Sequence, residues 1–431
     1  MTMSEHADPA CNESVAGGSA TDDGRSHSAL RAKPATRSID AVLLRRLLAA
    51  VGHPPVAFEL WNGERIGGED TPAVATLRLA DRATLLRLLW YPNFNFAEGY
   101  SEGRIGFQGD LIDFLVTMTR SALKAPQSLY SLRNRLRRVH GSSNNTPRRS
   151  QENVHHHYDL GNDFYALWLG PTMAYTCAYY PSPETTLDQA QVAKMDLVCR
   201  KLRLAPGESV VEAGCGWGTL ALHMARKYGV RVRAFNISRE QIAWARERAR
   251  AAGMDRQVQY IEDDYRNIRG HYDAFVSVGM LEHVGPDHYR GLGRIARDVL
   301  GGRGRGLIHS IGRNQPKPFD AWATRRIFPG AYPPSLREMM EIFEPWNLSV
   351  LDVENLRLHY ARTLRDWLAQ FENARDEVEA MFDERFVRMW RLYLAGSTAA
   401  FTTGSLQLFQ ILFAPGESNA VPLTRAEIYR D

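Results

Sequence analysis

The sequence predicts an α/β fold: a parallel, doubly wound sheet preceded by a small N-terminal α+β unit. Two observations predict the sheet. From Leu187 to about Gly312, helical and strand-like segments alternate, as in a parallel sheet with crossover helices. Within that stretch, Ser209-Val-Val-Glu-Ala-Gly-Cys-Gly-Trp-Gly218 reads as a buried strand ending in an acid and breaking into a glycine-rich turn. Gly214, Gly216 and Gly218 leave no side chain between backbone and ligand, and they permit the positive φ of a tight strand-to-helix turn. The helix that follows offers free N–H groups at its start. Ligands of such sheets collect at the C-terminal ends of the strands.

Bulk properties narrow the class. A chain of 431 residues suffices for two or three domains with a real core. Hydrophobic content of 44% and charge of 24% fit a globular chain rather than a disordered one. A net charge of +4 carries no nucleic-acid signature, so no nucleic-acid partner is expected. Cys11, Cys177, Cys199 and Cys215 lie at no zinc spacing and suggest no disulfide framework, which points to a reducing cytoplasm. No apolar run approaches the ~18 residues of a membrane span, and the first residues hold no signal-peptide core. Membrane contact is therefore expected to be peripheral.

The elements follow in order. Residues 1–36 are rich in Ser, Ala, Gly, Asp and Thr and read as a disordered tail. Residues 37–124 read as the small N-terminal domain. Ser38 is placed to cap a packed helix with Ile39, Val42, Leu43, Leu47 and Leu48 at helical spacing. Phe58–Trp61 and Ala75–Leu79 read as strands, and the Asn62-Gly63 turn between such runs suggests a hairpin. Helices are expected near Arg82–Trp90 and Leu111–Ser121. Residues 125–152 read as a basic linker. No acid lies between Asp113 and Glu152, while Arg120, Lys124, Arg133, Arg135, Arg137, Arg138, Arg148 and Arg149 do. That run is either a solvated linker or an anchor for anionic phospholipid, at ~1 kcal/mol per basic residue near the surface.

Residues 153–418 read as the catalytic domain and 419–431 as a C-terminal tail. Over 153–181 aromatics crowd with small and polar residues, which suits a ligand wall. His155, His156 and His157 are adjacent, but sequence neighbours do not share a helix face. No fourth ligand is spaced nearby, so no metal site is expected. Helices are predicted near 187–203, 219–228, 238–252 and 286–300. Strands are predicted near 209–213, 230–235, 257–261, 273–279 and 306–311. After 313 the chain is aromatic-rich and mostly helical, as at Asp366–Ala374 and Arg385–Phe401, and is expected to cover the ligand edge.

The cofactor question turns on the second strand. A dinucleotide site wants an acid at its end, about twenty residues past the glycines. Asn236 stands there instead. Glu212 closing the first strand, the Asn236 turn, and Asp263-Asp264-Tyr265 after the third resemble the Rossmann-like S-adenosylmethionine methyltransferases. The resemblance implies that Glu212 orders the turn and meets the methionine ammonium. Asn236, Ser238 and Gln241 would meet the ribose and adenine, and Asp264 and Tyr265 would flank the adenine.

Further motifs narrow this. Tyr158-Asp-Leu-Gly-Asn-Asp-Phe-Tyr165, Tyr175-Thr-Cys-Ala-Tyr179, Gly279-Met-Leu-Glu-His-Val-Gly285 and His309-Ser-Ile-Gly312 are similar to those of cyclopropane-fatty-acyl-phospholipid synthases. So are Ile327-Phe-Pro-Gly330, His359-Tyr-Ala-Arg-Thr-Leu364 and Phe382-Asp-Glu-Arg-Phe386. The likeness covers about residues 56–415.

The resemblance implies a class I methyltransferase domain with a helical lipid-binding lid and the small N-terminal α+β domain. It implies S-adenosyl-L-methionine as methyl donor and a bound bicarbonate as base. The base would be held by the side chains of Glu282, His309 and Tyr360 and by backbone groups at Cys177 and Ile311. Tyr175 and Thr176 fall on the cofactor side, Tyr175, Tyr179 and Tyr180 would wall the reacting cation, and His283 is assigned a structural part. The implied reaction joins a methylene to a cis double bond of an unsaturated phospholipid, at the inner face of the cell membrane. A methylene- or methyl-branched product and a non-catalytic lipid-binding protein are the alternatives. A homodimer is compatible with the sequence. Ser397 departs from the family, many members of which have a cysteine there.

Overall fold

Seven strands build the larger sheet of the computed structural model, in the order β10-β11-β9-β8-β5-β6-β7. The structure describes residues 38–68, 72–124, 160–419 and 423–429. The parallel strands are β5 (Ser209–Ala213), β6 (Arg231–Asn236), β7 (Val258–Glu262), β8 (Ala274–Val278) and β9 (Arg305–Gly312). The helices between them are Thr219–Tyr228, Arg239–Ala251 and Tyr289–Leu300. All these strands, and the helices bar the start of the last, fall within two residues of the sequence expectation. The central strands β5, β8 and β9 are buried almost throughout, as expected of strands covered on both faces, whereas β6 and β7 alternate toward the sheet edge.

Two strands were not foreseen. β10 (Leu348–Asn355) and β11 (Gln407–Pro415) extend the sheet beyond β9, with β11 antiparallel to both neighbours. Every residue of β11 is buried, so it shows no period-two alternation to read.

A second sheet of four strands lies in the N-terminal part, in the order β2-β1-β3-β4. It contains β1 (Val56–Glu59), β2 (Arg65–Ile66), β3 (Ala75–Leu79) and β4 (Ile105–Gly109). Asn62-Gly63 does turn a hairpin, with Phe58 opposite Ile66 and Gly63 at φ +81°, but its second strand is β2; β3 runs parallel to β1, which corrects the expected partner. The helix Pro92–Ser101 was not foreseen; it opens on a proline, whose missing N–H is no loss at a helix start. The first helix, Ile39–Ala50, buries Ala41, Leu44 and Leu48, whereas Ile39 and Val42 face outward, correcting the expected stripe. Residues from Ile39 onward form one compact unit. Residues 1–37, the three adjacent histidines and most of the basic run lie outside the described residues.

The helices Arg357–Asn373 and Glu384–Thr403 pack on each other, the first of them also against β11. Their core is aromatic: Trp168, Trp367 and Trp390 are fully buried with Phe164 and Phe371. Trp168 meets Trp367 and Trp390 edge-on at 5.7 and 5.8 Å, the arrangement ring quadrupoles favour.

Candidate functional site

The chain leaves β5 toward one side of the sheet (β6, β7) and later returns to the other (β8, β9). The crevice between the C-terminal ends of β5 and β8 is therefore where a ligand belongs. A cavity open to solvent occupies it. Tyr175, Thr176, Glu212, Gly214, Gly216, Asn236, Gln241, Asp264 and Tyr265 all line it.

The glycines there have different reasons. Gly216 sits at φ +53°, and a Cβ on it would meet no protein atom, so it opens the backbone to the cavity. Gly218 does not line the cavity: at φ +78° its added Cβ would lie 2.4 Å from the Tyr260 ring. It permits packing rather than ligand approach, against the sequence expectation. Asn236 ties the turn together, its Nδ2 donating to Gly216 O at 3.2 Å and to Gln241 Oε1 at 2.8 Å. Ser238 is a correction. It is buried outside the lining, and its hydroxyl caps the helix Arg239–Ala251 by accepting from Gln241 N. Asp264 accepts from Arg266 N and pairs with the Arg266 guanidinium at 2.9 Å, which fixes the Tyr265 turn.

Glu212 is buried, and its Oε2 has no partner among the described residues. Burial pushes its carboxyl well above the usual range, and Lys194 opposes that shift. Gln241 Nε2 is likewise unpaired. An orphaned acceptor and an orphaned donor at a bare glycine turn fit a ligand carrying an ammonium and a hydroxylated sugar. Lys194 was missed in the sequence. It is buried, lines the cavity, and donates to Thr176 Oγ1 at 2.7 Å. A lysine and a glutamine (Gln191) on the buried face of Leu187–Lys201 are the signal that could have found it.

A second cavity adjoins the first and shares Tyr175, Thr176, Gly279 and His283 with it. Gly279 lies against Thr176: an added Cβ would approach Thr176 Cγ2 to 2.8 Å. Cys177, Glu282, His309, Ile311 and Tyr360 all line this chamber, although they come from four separate stretches of chain. Glu282 stands in the turn after β8, and His309 and Ile311 on β9. Glu282 Oε1 accepts the Ile311 amide at 2.5 Å, so that amide serves Glu282 in this structure. Glu282 Oε2 and His309 Nε2 have no partner among the described residues. Burial pushes Glu282 up to about 7 and holds His309 well below its ordinary value. A half-protonated acid and a neutral imidazole can both donate to a small oxyanion. The Cys177 thiol is fully buried and its pKa is driven up, so it is no thiolate nucleophile.

The rest of the chamber is apolar and aromatic. Phe319, Phe328, Tyr393 and Phe401 line it with Ser397, and Tyr360 lies against Phe401 at 4.5 Å. Tyr179 and Tyr180 do not line it, correcting the expected wall. Tyr180 donates to Asp366 at 2.8 Å and lies under the Arg362 guanidinium. His283, read as structural, borders both chambers, and burial lowers it to about 4.

Residues 145–411 match the family model described as mycolic acid cyclopropane synthetase. The chain belongs to this family. It is 35% identical over 397 residues to a probable fatty acid methyltransferase of Pseudomonas putida, covering 88% of this chain and 97% of that one. It is 38% identical over 270 residues to the cyclopropane-fatty-acyl-phospholipid synthase of Escherichia coli (strain K12), covering 62% and 69%. Among solved structures it resembles mycolic acid cyclopropane synthase CmaA1 complexed with SAH and CTAB. There the TM-score is 0.58 and identity 29%, with 61% of this chain and 97% of that one covered. The family and the sheet order make the chain a class I S-adenosylmethionine-dependent methyltransferase.

Proposed function

We propose that the protein adds a methylene group to the cis double bond of an unsaturated phospholipid acyl chain, giving a cyclopropane. The observation carrying this reading is the pair of joined chambers: a polar, glycine-floored one and an aromatic one whose unpaired polar atoms include Glu282 Oε2 and His309 Nε2. Bound S-adenosylmethionine supplies an electrophilic methyl. Glu212, Asn236 and Gln241 would hold it, with Asp264 and Tyr265 beside the adenine. An alkene is a weak nucleophile, so orientation must supply much of the rate. Thr176 and Gly279, held by Lys194 and the end of β8, form the partition at which the two substrates meet.

Addition leaves a cation on the acyl chain. The Phe328, Tyr360, Tyr393 and Phe401 rings would shield it and attract it through their faces. Ring closure releases one proton from the added carbon. Bicarbonate, if held as the family implies, supplies a weak base; Glu282, His309 and Tyr360, with backbone groups of Cys177 and Ile311, would bind and orient it. The unpaired Glu282 and His309 atoms suit that role.

The substrate also implies a surface. Lifting a ~16-carbon chain from a bilayer costs roughly 13 kcal/mol at ~0.8 kcal/mol per methylene. Delivery therefore requires docking on the membrane, and we place the protein at the inner face. No helix among the described residues is long and apolar enough to cross a membrane. The exposed Ile39, Leu86 and Trp90 beside Arg87 suit peripheral contact.

A second reading gives a methylene- or methyl-branched chain from the same chambers. The Pseudomonas putida relative's description and Ser397 in the acceptor wall favour considering it. Mass spectrometry of lipids from an expressing host separates the two. A +14 chain that has lost its alkene and carries a ring supports the first reading. A retained alkene at +14 supports the second, and unchanged lipids defeat both.

A further inference from the structure

His309 is backed by a polar ladder that the reading above does not use. Glu354, Gln410 and His309 stand directly opposite one another on β10, β11 and β9. Opposite residues share a sheet face. Onto that face the helix Leu187–Lys201 sends Lys201, whose Nζ donates to Glu354 Oε2 at 2.5 Å and to Gln410 Oε1 at 2.7 Å. Gln410 and Lys201 are both buried, and Gln410 is flanked on β11 by Phe409 and Ile411. Burying an amide and an ammonium among such residues is costly unless each is paired. Here each is paired to the next.

The donor and acceptor inventory fixes the direction of the ladder. An ammonium can only donate, so Gln410 must turn its oxygen to Lys201. Its NH2 end then faces His309 Nδ1 at 3.1 Å. A donor there needs an Nδ1 without a proton. The neutral ring therefore carries its proton on Nε2, the nitrogen with no protein partner. Burial and the charges of Lys194 and Lys201 keep the ring neutral.

We propose that Glu354, Lys201 and Gln410 are positioning residues that lock His309 as the Nε2–H tautomer. His309 is thereby a hydrogen-bond donor to an anion in the acceptor chamber, not the base. The functional half of this inference rests on the reading of His309 as part of the anion cradle.

The test uses full-length protein with ¹⁵N-labelled histidine, and His309→Ala to assign the ring signals. Native protein is expected to show a protonated Nε2 and an unprotonated Nδ1. Gln410→Glu presents a carboxylate, which accepts from Nδ1–H, so the proton should move from Nε2 to Nδ1 and the signals exchange. Turnover should fall about 10–100-fold, with affinity for S-adenosylmethionine by calorimetry unchanged as proof of folding. A native spectrum with the proton on Nδ1 overturns the lock, whatever the variant does. So does a Gln410→Glu spectrum identical to the native one. Exchanged signals with full turnover would retain the lock but refute the donor role. Full turnover of His309→Ala would defeat the cradle reading itself, while the native spectrum still decides the tautomer.

Discussion

The two chambers are built by different means. The cofactor side is drawn mostly from one stretch of the sheet, residues 212–284 at the strand ends and turns, with a short wall from 173–176 and Lys194 and Met195 from the helix Leu187–Lys201. The acceptor side is made of side chains collected from residue 175 to residue 408. The two share only Tyr175, Thr176, Gly279 and His283, so most groups placed to hold the cofactor are not those that line the acceptor chamber. Binding and chemistry should therefore be separable by mutation.

The largest effect should come from Glu282→Gln and His309→Ala. Loss of a base-related group costs about 10²–10⁴-fold in rate, so product should fall below detection in lipid extracts. Calorimetric affinity for S-adenosylmethionine should stay within about twofold, a difference of under ~0.5 kcal/mol. Either variant at native activity would break the division between chambers.

Next come the glycines. Gly216→Ala leaves the fold but puts a methyl in the cofactor chamber and strains the positive φ by about 1–2 kcal/mol. Cofactor affinity should drop about tenfold or more. Gly218→Ala drives a Cβ into Tyr260, so melting temperature should fall first, by the equivalent of about 1–3 kcal/mol of overpacking. A reversed pattern in calorimetry and thermal melts would mean that the two glycines have been assigned the wrong way round.

A smaller effect concerns pH. Glu282 is pushed by burial from an ordinary carboxyl value up to about 7. Folded protein therefore holds this proton where the unfolded chain has released it, between about pH 4.5 and 7. That contribution to stability is present at low pH and is lost as pH rises through 7. Glu282→Gln cannot ionise, so its melting temperature should gain on the native protein from pH 5 to about 7 and level off above that. A constant offset across that range would show that Glu282 titrates normally.

Ser397→Cys should have the smallest effect. It alters one apolar-wall residue and no cradle group, so turnover should persist while chain preference or product ratio shifts. Abolished turnover would mean that the hydroxyl touches the reacting atoms.

The difference between chambers also explains what could be read beforehand. Strand, acid and glycines at 209–218 form a local pattern, and the missing acid at Asn236 is visible in one residue. The parallel strands announced themselves as apolar runs between helical repeats. No local pattern joins Cys177, Glu282, His309 and Tyr360, which entered only through family likeness; the fold brings them together across the sheet. Ser238 looked like a ligand residue because its turn is one, yet a serine before a helix is first a cap. β11 was missed because full burial erases alternation, and Gln410 with it, although a buried glutamine among Phe and Ile is itself a clue.

Gly279 carries one further consequence. It stands in the partition, and its missing side chain is all that separates it from Thr176. The two residues thus lie so close that a single added carbon would clash. Under the proposed reaction this contact acts as a fixed mark on a ruler. Whichever carbons of the acyl chain stop opposite it are the ones modified, and the depth of the aromatic chamber beyond it sets the count.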